Sequence, residues 1–201
     1  MIIKSNQGFS LPELLVSLSI IAMIMSTVLY NYGGFNDKLA LSAGAQEIAI
    51  AVRQAQTYGL TVKEVSVTTG SFSSAYGVYF DYVTEPANYY IFADANGNRK
   101  YDLGSGCGSG PTLTECIEKF TLRNGVRVTS ICDTNSVCPA TNSQKLHITF
   151  LRPNPDATII FANSSNVTQG ISPLTGKVRL TSGKGVTLTV TVESTGQVSV
   201  Q

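Results

Sequence analysis

The chain has 201 residues, 43% of them hydrophobic, with 14 Lys+Arg against 13 Asp+Glu, one histidine and no tryptophan. Such a balance excludes a global electrostatic attraction to nucleic acid or anionic lipid. One histidine and four cysteines with no C-x-x-C pair give a zinc site poor support, and the length allows one globular domain beyond an N-terminal helix, not two.

The chain opens with a short polar leader, Lys4-Ser5-Asn6-Gln7-Gly8, followed by Phe9 and an apolar run whose only charge is Glu13. From Leu14 to Asn36 there is no Asp, Glu, Lys or Arg. A helix over residues 9–32 would be about 35 Å long, enough for a hydrocarbon core of about 30 Å. Pro12 falls in the first turn, where its missing N–H does no harm. Ser17, Ser19, Ser26 and Thr27 can bond back to the helix. Lys4 precedes the run and Lys38 follows it, so charge alone sets no orientation.

A secretory signal peptide places its apolar region before the cleavage site and loses it. Here Gly8 precedes the run, and cleavage after it would keep the apolar helix. A carboxylate in a membrane helix costs about 2.5–3.5 kcal/mol and is usually paired. Cleavage after Gly8 would supply a partner for Glu13, the new α-amine of Phe9, on the same chain or a neighbouring copy. On composition alone, a plain signal anchor with a tolerated Glu near the interface is the alternative.

The string GFSLPELL followed by VSLSIIAMIMSTVL resembles the class III leader and N-terminal helix of type IV pilins and type II secretion pseudopilins. That resemblance implies a prepilin peptidase that cuts after Gly8 on the cytoplasmic side and methylates Phe9. It implies that Glu13, fifth in the mature chain, docks each subunit into a filament of other pilin or pseudopilin subunits. The implied location is the inner (cytoplasmic) membrane, crossed once, with the globular domain on the periplasmic or extracellular side. Losing the leader also removes Lys4, leaving the side-chain charges balanced.

Beyond Tyr32, Gly33-Gly34 predicts a kink or a locally melted turn, since each Gly costs about 0.8–1 kcal/mol relative to Ala. Leu41, Ala45, Ile48, Val52, Ala55 and Tyr58 then recur at three- and four-residue spacing and predict an apolar stripe facing a sheet. Glu47, Arg53 and Gln54 lie off it, and the helix is predicted to end near Gly59. The domain reading is therefore leader 1–8, transmembrane and assembly helix 9–32, amphipathic half 33–62 and a β-rich globular domain 63–201.

Strands are predicted at 64–69, 76–83, 89–93, 117–122, 126–131, 145–151, 158–161, 177–181, 186–192 and 197–200, from their Val, Tyr, Phe, Ile and Thr content. Thr187-Leu188-Thr189-Val190-Thr191-Val192 alternates cleanly, and Ser194-Thr195-Gly196-Gln197 reads as the turn before the last strand. The fold class is α+β, a long N-terminal helix, membrane-embedded in its first half, packed on a C-terminal antiparallel sheet domain. Cys107, Cys116, Cys132 and Cys138 suggest disulfides in an exported domain. Three connectivities are possible; Cys107–Cys116 with Cys132–Cys138 is favoured because each closes a short loop.

Three weaker features resemble the minor pseudopilin H and FimT-like branch: the helix ending Arg53-Gln54-Ala55-Gln56, the segment Ile91 to Asn98, and the ending Val192 to Val200. FimT-like pilins imply the alternative function, DNA binding in a DNA-uptake (competence) system through basic residues near the C-terminus. Lys177, Arg179 and Lys184 are the basic residues there, but the last turn, Gly196-Gln197-Val198-Ser199, lacks arginines. A solvated face is therefore the preferred reading.

Asp94, Asn96, Asn98 and Asp102 place oxygen side chains around Gly97, like the first half of a calcium loop. Ser105 stands where a bidentate Glu would complete it, Arg99 and Lys100 add positive charge, and Asx-rich turns need no metal. His147 sits in a predicted strand with no nucleophile motif and reads as structural. Asn163-Ser164-Ser165 and Asn166-Val167-Thr168 fit the glycosylation acceptor pattern, as Ser/Thr/Asn-rich loops do by chance. The sequence thus reads as a non-enzymatic minor pilin or pseudopilin of a type IV pilus or type II secretion system, with no metal or cofactor assigned.

Overall fold

Leucine, isoleucine, alanine and methionine dominate the N-terminal third, and they coil into one helix, α1, over Leu11–Leu60. The computed structural model describes residues 8–61, 74–102, 107, 115–138, 140, 142–171 and 174–201. The predicted break at Gly33-Gly34 is not found, because helical structure continues through both glycines. Two glycines cost about 2 kcal/mol in propensity, which cooperative propagation from the good helix formers on either side offsets. The chain divides into two compact units, Met1–Asn36 and Asp37–Gln201.

Within the second unit the apolar stripe of α1 is buried as predicted: Leu41, Ala45, Ile48, Val52 and Ala55 are at most 1% exposed. Glu47 and Arg53 face solvent, and Tyr58 is half-buried. Ten strands follow. They are β1 (Ala75–Asp81), β2 (Asn88–Asp94), β3 (Cys116–Thr121), β4 (Arg127–Cys132), β5 (Lys145–Phe150), β6 (Ala157–Ala162), β7 (Thr168–Ile171), β8 (Thr175–Thr181), β9 (Thr187–Glu193) and β10 (Val198–Val200). They form a six-stranded sheet, order β3-β2-β1-β5-β6-β7, and a four-stranded sheet, order β10-β9-β8-β4. Every pairing is antiparallel. This is the α+β class that the sequence predicts. The predicted strand 64–69 lies outside the described residues, and β7 has no counterpart among the predicted strands.

The two sheets and the helix stripe share one core, with Val78, Phe80, Ile91, Ile148 and Ile159 from the larger sheet and Val178, Leu180, Val190 and Val192 from the smaller. The smaller sheet turns a polar face outward, so β8 alternates buried and half-buried residues along its length. The central strands of the larger sheet, β1 and β5, are covered on both faces. Tyr79, Tyr90 and Phe92 point away from the helix and pack with Tyr101 and Cys116 in a second cluster. That is why every residue of β1 is buried, a pattern expected of a sheet with no solvated face.

Both favoured disulfides are present, Cys107–Cys116 and Cys132–Cys138, with sequence separations of 9 and 6. Loops of this size predict a loss of roughly 2–3 kcal/mol per bridge on reduction. Urea unfolding of the intact chain with and without reductant checks this, the reduced protein showing the lower midpoint.

Candidate functional site

The first candidate is the N-terminal stretch itself. Residues 8–30 are exposed throughout, including Phe9, Leu11, Leu15, Ile20, Met23 and Leu29. The helix is long and apolar enough to cross a membrane. Its hydroxyls turn back onto the backbone: Ser17 Oγ donates to Glu13 O, Ser19 Oγ to Val16 O and Thr27 Oγ1 to Ile24 O, each at 2.8 Å. The lateral surface is thus nearly free of competing polar groups, as hydrocarbon requires. Glu13 lies in the first turn and is exposed.

The second candidate is the Asx loop after β2, and its geometry gives it a structural task. Asp94 Oδ1 accepts the N–H groups of Gly97 (2.9 Å) and Asn98 (3.1 Å), and Oδ2 accepts that of Arg99 (2.9 Å). Arg99 has φ 61°, a left-handed turn that Asp94 stabilises by gathering three amides. Asn96 and Asn98 point their Nδ2 groups at Asp102 Oδ2, at 2.6 and 2.7 Å. Glu115, 6% exposed, closes the loop from outside: Oε1 accepts Ala95 N–H at 3.1 Å and Oε2 accepts Asp102 N–H at 2.8 Å. Burial pushes the Glu115 carboxyl up, opposed by those two backbone donors. Among the described residues no group of three His, Cys, Asp or Glu side chains is placed to hold a metal ion.

The loop covers the outer aromatic cluster and is tied to the sheet through His147. Tyr101 N–H donates to His147 Nδ1 at 3.0 Å, so that nitrogen is unprotonated and Nε2 carries the proton toward Asn166 Oδ1, 3.1 Å away. Asn166 Nδ2 donates to Tyr101 O and Asp102 Oδ1, both at 3.2 Å, and Lys100 Nζ donates to Asn166 O at 2.9 Å. His147 is fully buried, and burial lowers its pKa to about 3, with Lys100 and Lys145 adding to the effect. Burial likewise pushes the Tyr101 hydroxyl up to about 12. His147 is therefore a satisfied core residue, as its sequence context suggests.

Glu115 and Asn166 were not singled out as anchors from sequence. Nothing local marks Glu115. Asn166 lies in a glycosylation acceptor pattern, yet its amide is spent on three partners; its φ of 61° is the setting in which Asn is favoured. Replacing Asn166 by Ala should cost about 2–4 kcal/mol, from an unsatisfied His147 N–H and the left-handed backbone. Asn166→Gly should recover the backbone part only. Thermal unfolding of the two variants against the parent checks both figures.

The basic residues near the C-terminus do not form one cluster. Lys177 and Arg179 share the solvent face of β8, and Lys177 Nζ donates to Ser136 Oγ at 2.6 Å. Lys184 stands in the turn beyond Thr181, which is itself about 13 Å of strand from Lys177.

Residues 3–29 match the family of the prokaryotic N-terminal methylation motif. The N-terminal stretch is thus similar to the methylation motif of prokaryotic prepilin-like proteins. The matched stretch contains Gly8, Phe9 and Glu13 and most of the exposed helix described above. No curated protein and no solved structure matches the chain.

Proposed function

We propose that the chain is a minor pilin or pseudopilin, a structural subunit of a type IV pilus or type II secretion pseudopilus. The methylation motif over residues 3–29 is the observation that carries this reading. In it, prepilin peptidase cuts after Gly8 and methylates Phe9, and residues 9–32 anchor the subunit in the inner membrane before packing among other subunits. The β-rich region from residue 63 onward is then the part displayed on the periplasmic or extracellular side.

Two details support it. A Cβ built on Gly8 meets nothing within 4 Å among the described residues, in keeping with a glycine set by recognition rather than by packing. Glu13 has no side-chain partner among the described residues, in keeping with a carboxylate held for the Phe9 amine of this or another copy. The test is Glu13→Ala: the variant should be inserted and cleaved as before but lost from sheared filaments or pelleted assemblies. Unimpaired assembly would contradict the role given to Glu13.

The alternative, DNA capture, draws on Arg179, which has no ion pair among the described residues. It predicts salt-dependent binding of duplex DNA that is lost in Lys177→Gln/Arg179→Gln. Absence of such binding leaves the structural subunit alone.

A further inference from the structure

A near-neutral net charge conceals a local asymmetry in the second unit. The chain enters this unit at Asp37, and α1 then passes Leu122 and Val126, each 3.4 Å from a Cβ built on Gly44. It ends against Phe150, which a Cβ on Gly59 would strike. The entry pole of the unit is therefore the turn joining β3 to β4, together with whatever packs beside it.

Two neighbours are fixed by the backbone. A Cβ on Gly125 would lie 3.9 Å from Gly183 Cα, which brings the β8–β9 turn alongside. Leu122 N–H and Val128 N–H donate to Ala87 O (2.8 Å) and Pro86 O (2.7 Å), which brings the β1–β2 turn alongside as well. On these turns Arg123, Arg127 and Lys184 are exposed, as is Lys38 on α1, one helical turn ahead of the buried Leu41. The ion pair among the described residues is Lys119–Glu85, so none of the four cations is paired there. Val83 and Val186 lie on the same turns, 51% and 37% exposed.

Carboxylates offset this pole only in part. Glu85 is committed to Lys119, Asn88 and Tyr90. Asp81 is buried and accepts the Val83 and Thr84 N–H groups. Asp37 keeps one oxygen buried, and Glu47 is the exposed acid on the adjoining helix turns. Away from this pole, Ala157 N–H donates to Ser194 O at 2.8 Å, which brings the exposed Asp156 near Glu193.

We propose that this pole is a docking face for a layer of anionic phospholipid headgroups, with Lys38, Arg123, Arg127 and Lys184 on the phosphates and Val83 and Val186 in the interface. The proposal rests on the membrane anchoring given under the proposed function. The occupant follows from charge and chain order. Lys38 lies next in chain order to the apolar segment and the other three cations share its pole, and exposed Lys and Arg are attracted to an anionic surface once they lie within a Debye length of it. Interspersed valines suit an interface between water and hydrocarbon better than a polyelectrolyte in water. Docking would hold the globular unit against the membrane before assembly and would be given up when the subunit leaves the bilayer.

The test uses the full-length protein in nanodiscs of phosphatidylcholine alone, or with phosphatidylglycerol added. Amide hydrogen exchange is followed at residues 123–125 and 183–185. Anionic lipid should slow exchange in both turns by about tenfold. The effect should vanish in Lys38→Gln/Arg123→Gln/Arg127→Gln/Lys184→Gln, and for the parent protein in about 0.5 M salt, where the Debye length is roughly 4 Å. Equal exchange in the two lipids, with the protein retained in the discs, overturns the docking face and leaves the anchoring reading intact. Protein that does not stay in the discs overturns both. Protection by duplex DNA in neutral discs, without any effect of anionic lipid, reassigns the pole to nucleic acid and also overturns the proposal.

Discussion

Lowering the pH from about 7.5 to 5.5 should cost the folded protein about 1.4 kcal/mol through His147 alone. The residue is the chain's single histidine. Its folded pKa, about 3, lies below the unfolded value of 6.5 because the ring is buried and because Lys100 and Lys145 oppose a positive charge. Above 6.5 the ring is neutral in both states, and its full contribution to stability is present. Below 6.5 the unfolded chain takes up a proton that the native ring refuses, so stability falls by about 1.4 kcal/mol per pH unit until the folded pKa is reached.

A proton on Nδ1 would also remove the acceptor of Tyr101 N–H and so loosen the loop over the outer aromatic cluster. His147→Gln should be less stable overall but flat across pH 7.5 to 5.5. The Glu115 carboxyl is raised, chiefly by burial, and the Glu85 carboxyl is lowered, chiefly by the Tyr90 hydroxyl, so the histidine's share is the difference in slope between the parent and His147→Gln. Chemical denaturation at several pH values reads the slope. A slope retained in the variant would place the titrating group elsewhere.

Gly77→Ala should be the most damaging single methyl in the β domain. A Cβ at Gly77 would fall on the carbonyl oxygen of Ile148, 2.7 Å from Thr149 Cγ2 and 2.9 Å from Phe92 Cε1. Two of those neighbours belong to β5, which pairs with β1 through Gly77↔Thr149, and a paired strand cannot retreat without breaking its ladder. Overpacking of this kind costs about 1–3 kcal/mol where side chains can shift, and more where backbone is struck; about 3 kcal/mol or more is expected. Gly34→Ala is the control. A Cβ there meets nothing within 4 Å, and the helix should gain up to about 1 kcal/mol. Unfolding midpoints of the two variants should move in opposite directions.

How far the sequence carries depends on whether the deciding contact is local. The Leu41 to Ala55 stripe and the alternation of Thr187 to Val192 each announce their own geometry, and both are found as read. The short disulfide loops are local too. Gly33-Gly34 predicts a break that is not found, because propensity at two residues is local whereas helix continuation is settled by long runs on both sides. β7 is not legible locally, because Gln169 and Gly170 interrupt its two β-branched residues and the strand is held by pairing with Ile160 and Phe161.

The Asx loop shows the same limit at a candidate site. Its oxygen spacing suggested a calcium loop, but its closure depends on Glu115, Asn166 and His147, which lie far along the chain. No local pattern could have revealed that the loop is the cover over Tyr79, Phe92 and Tyr101. The N-terminal motif is the reverse case, legible because it is a short contiguous signal.

The central claim is prepilin processing, and the most direct measurement is intact mass with N-terminal sequencing of protein taken from membranes, with and without prepilin peptidase. The account predicts a chain that begins at methylated Phe9 when the peptidase is present and at Met1 when it is absent. A chain that begins at Met1 in both cases would contradict it, leaving a plain membrane anchor on the same β domain.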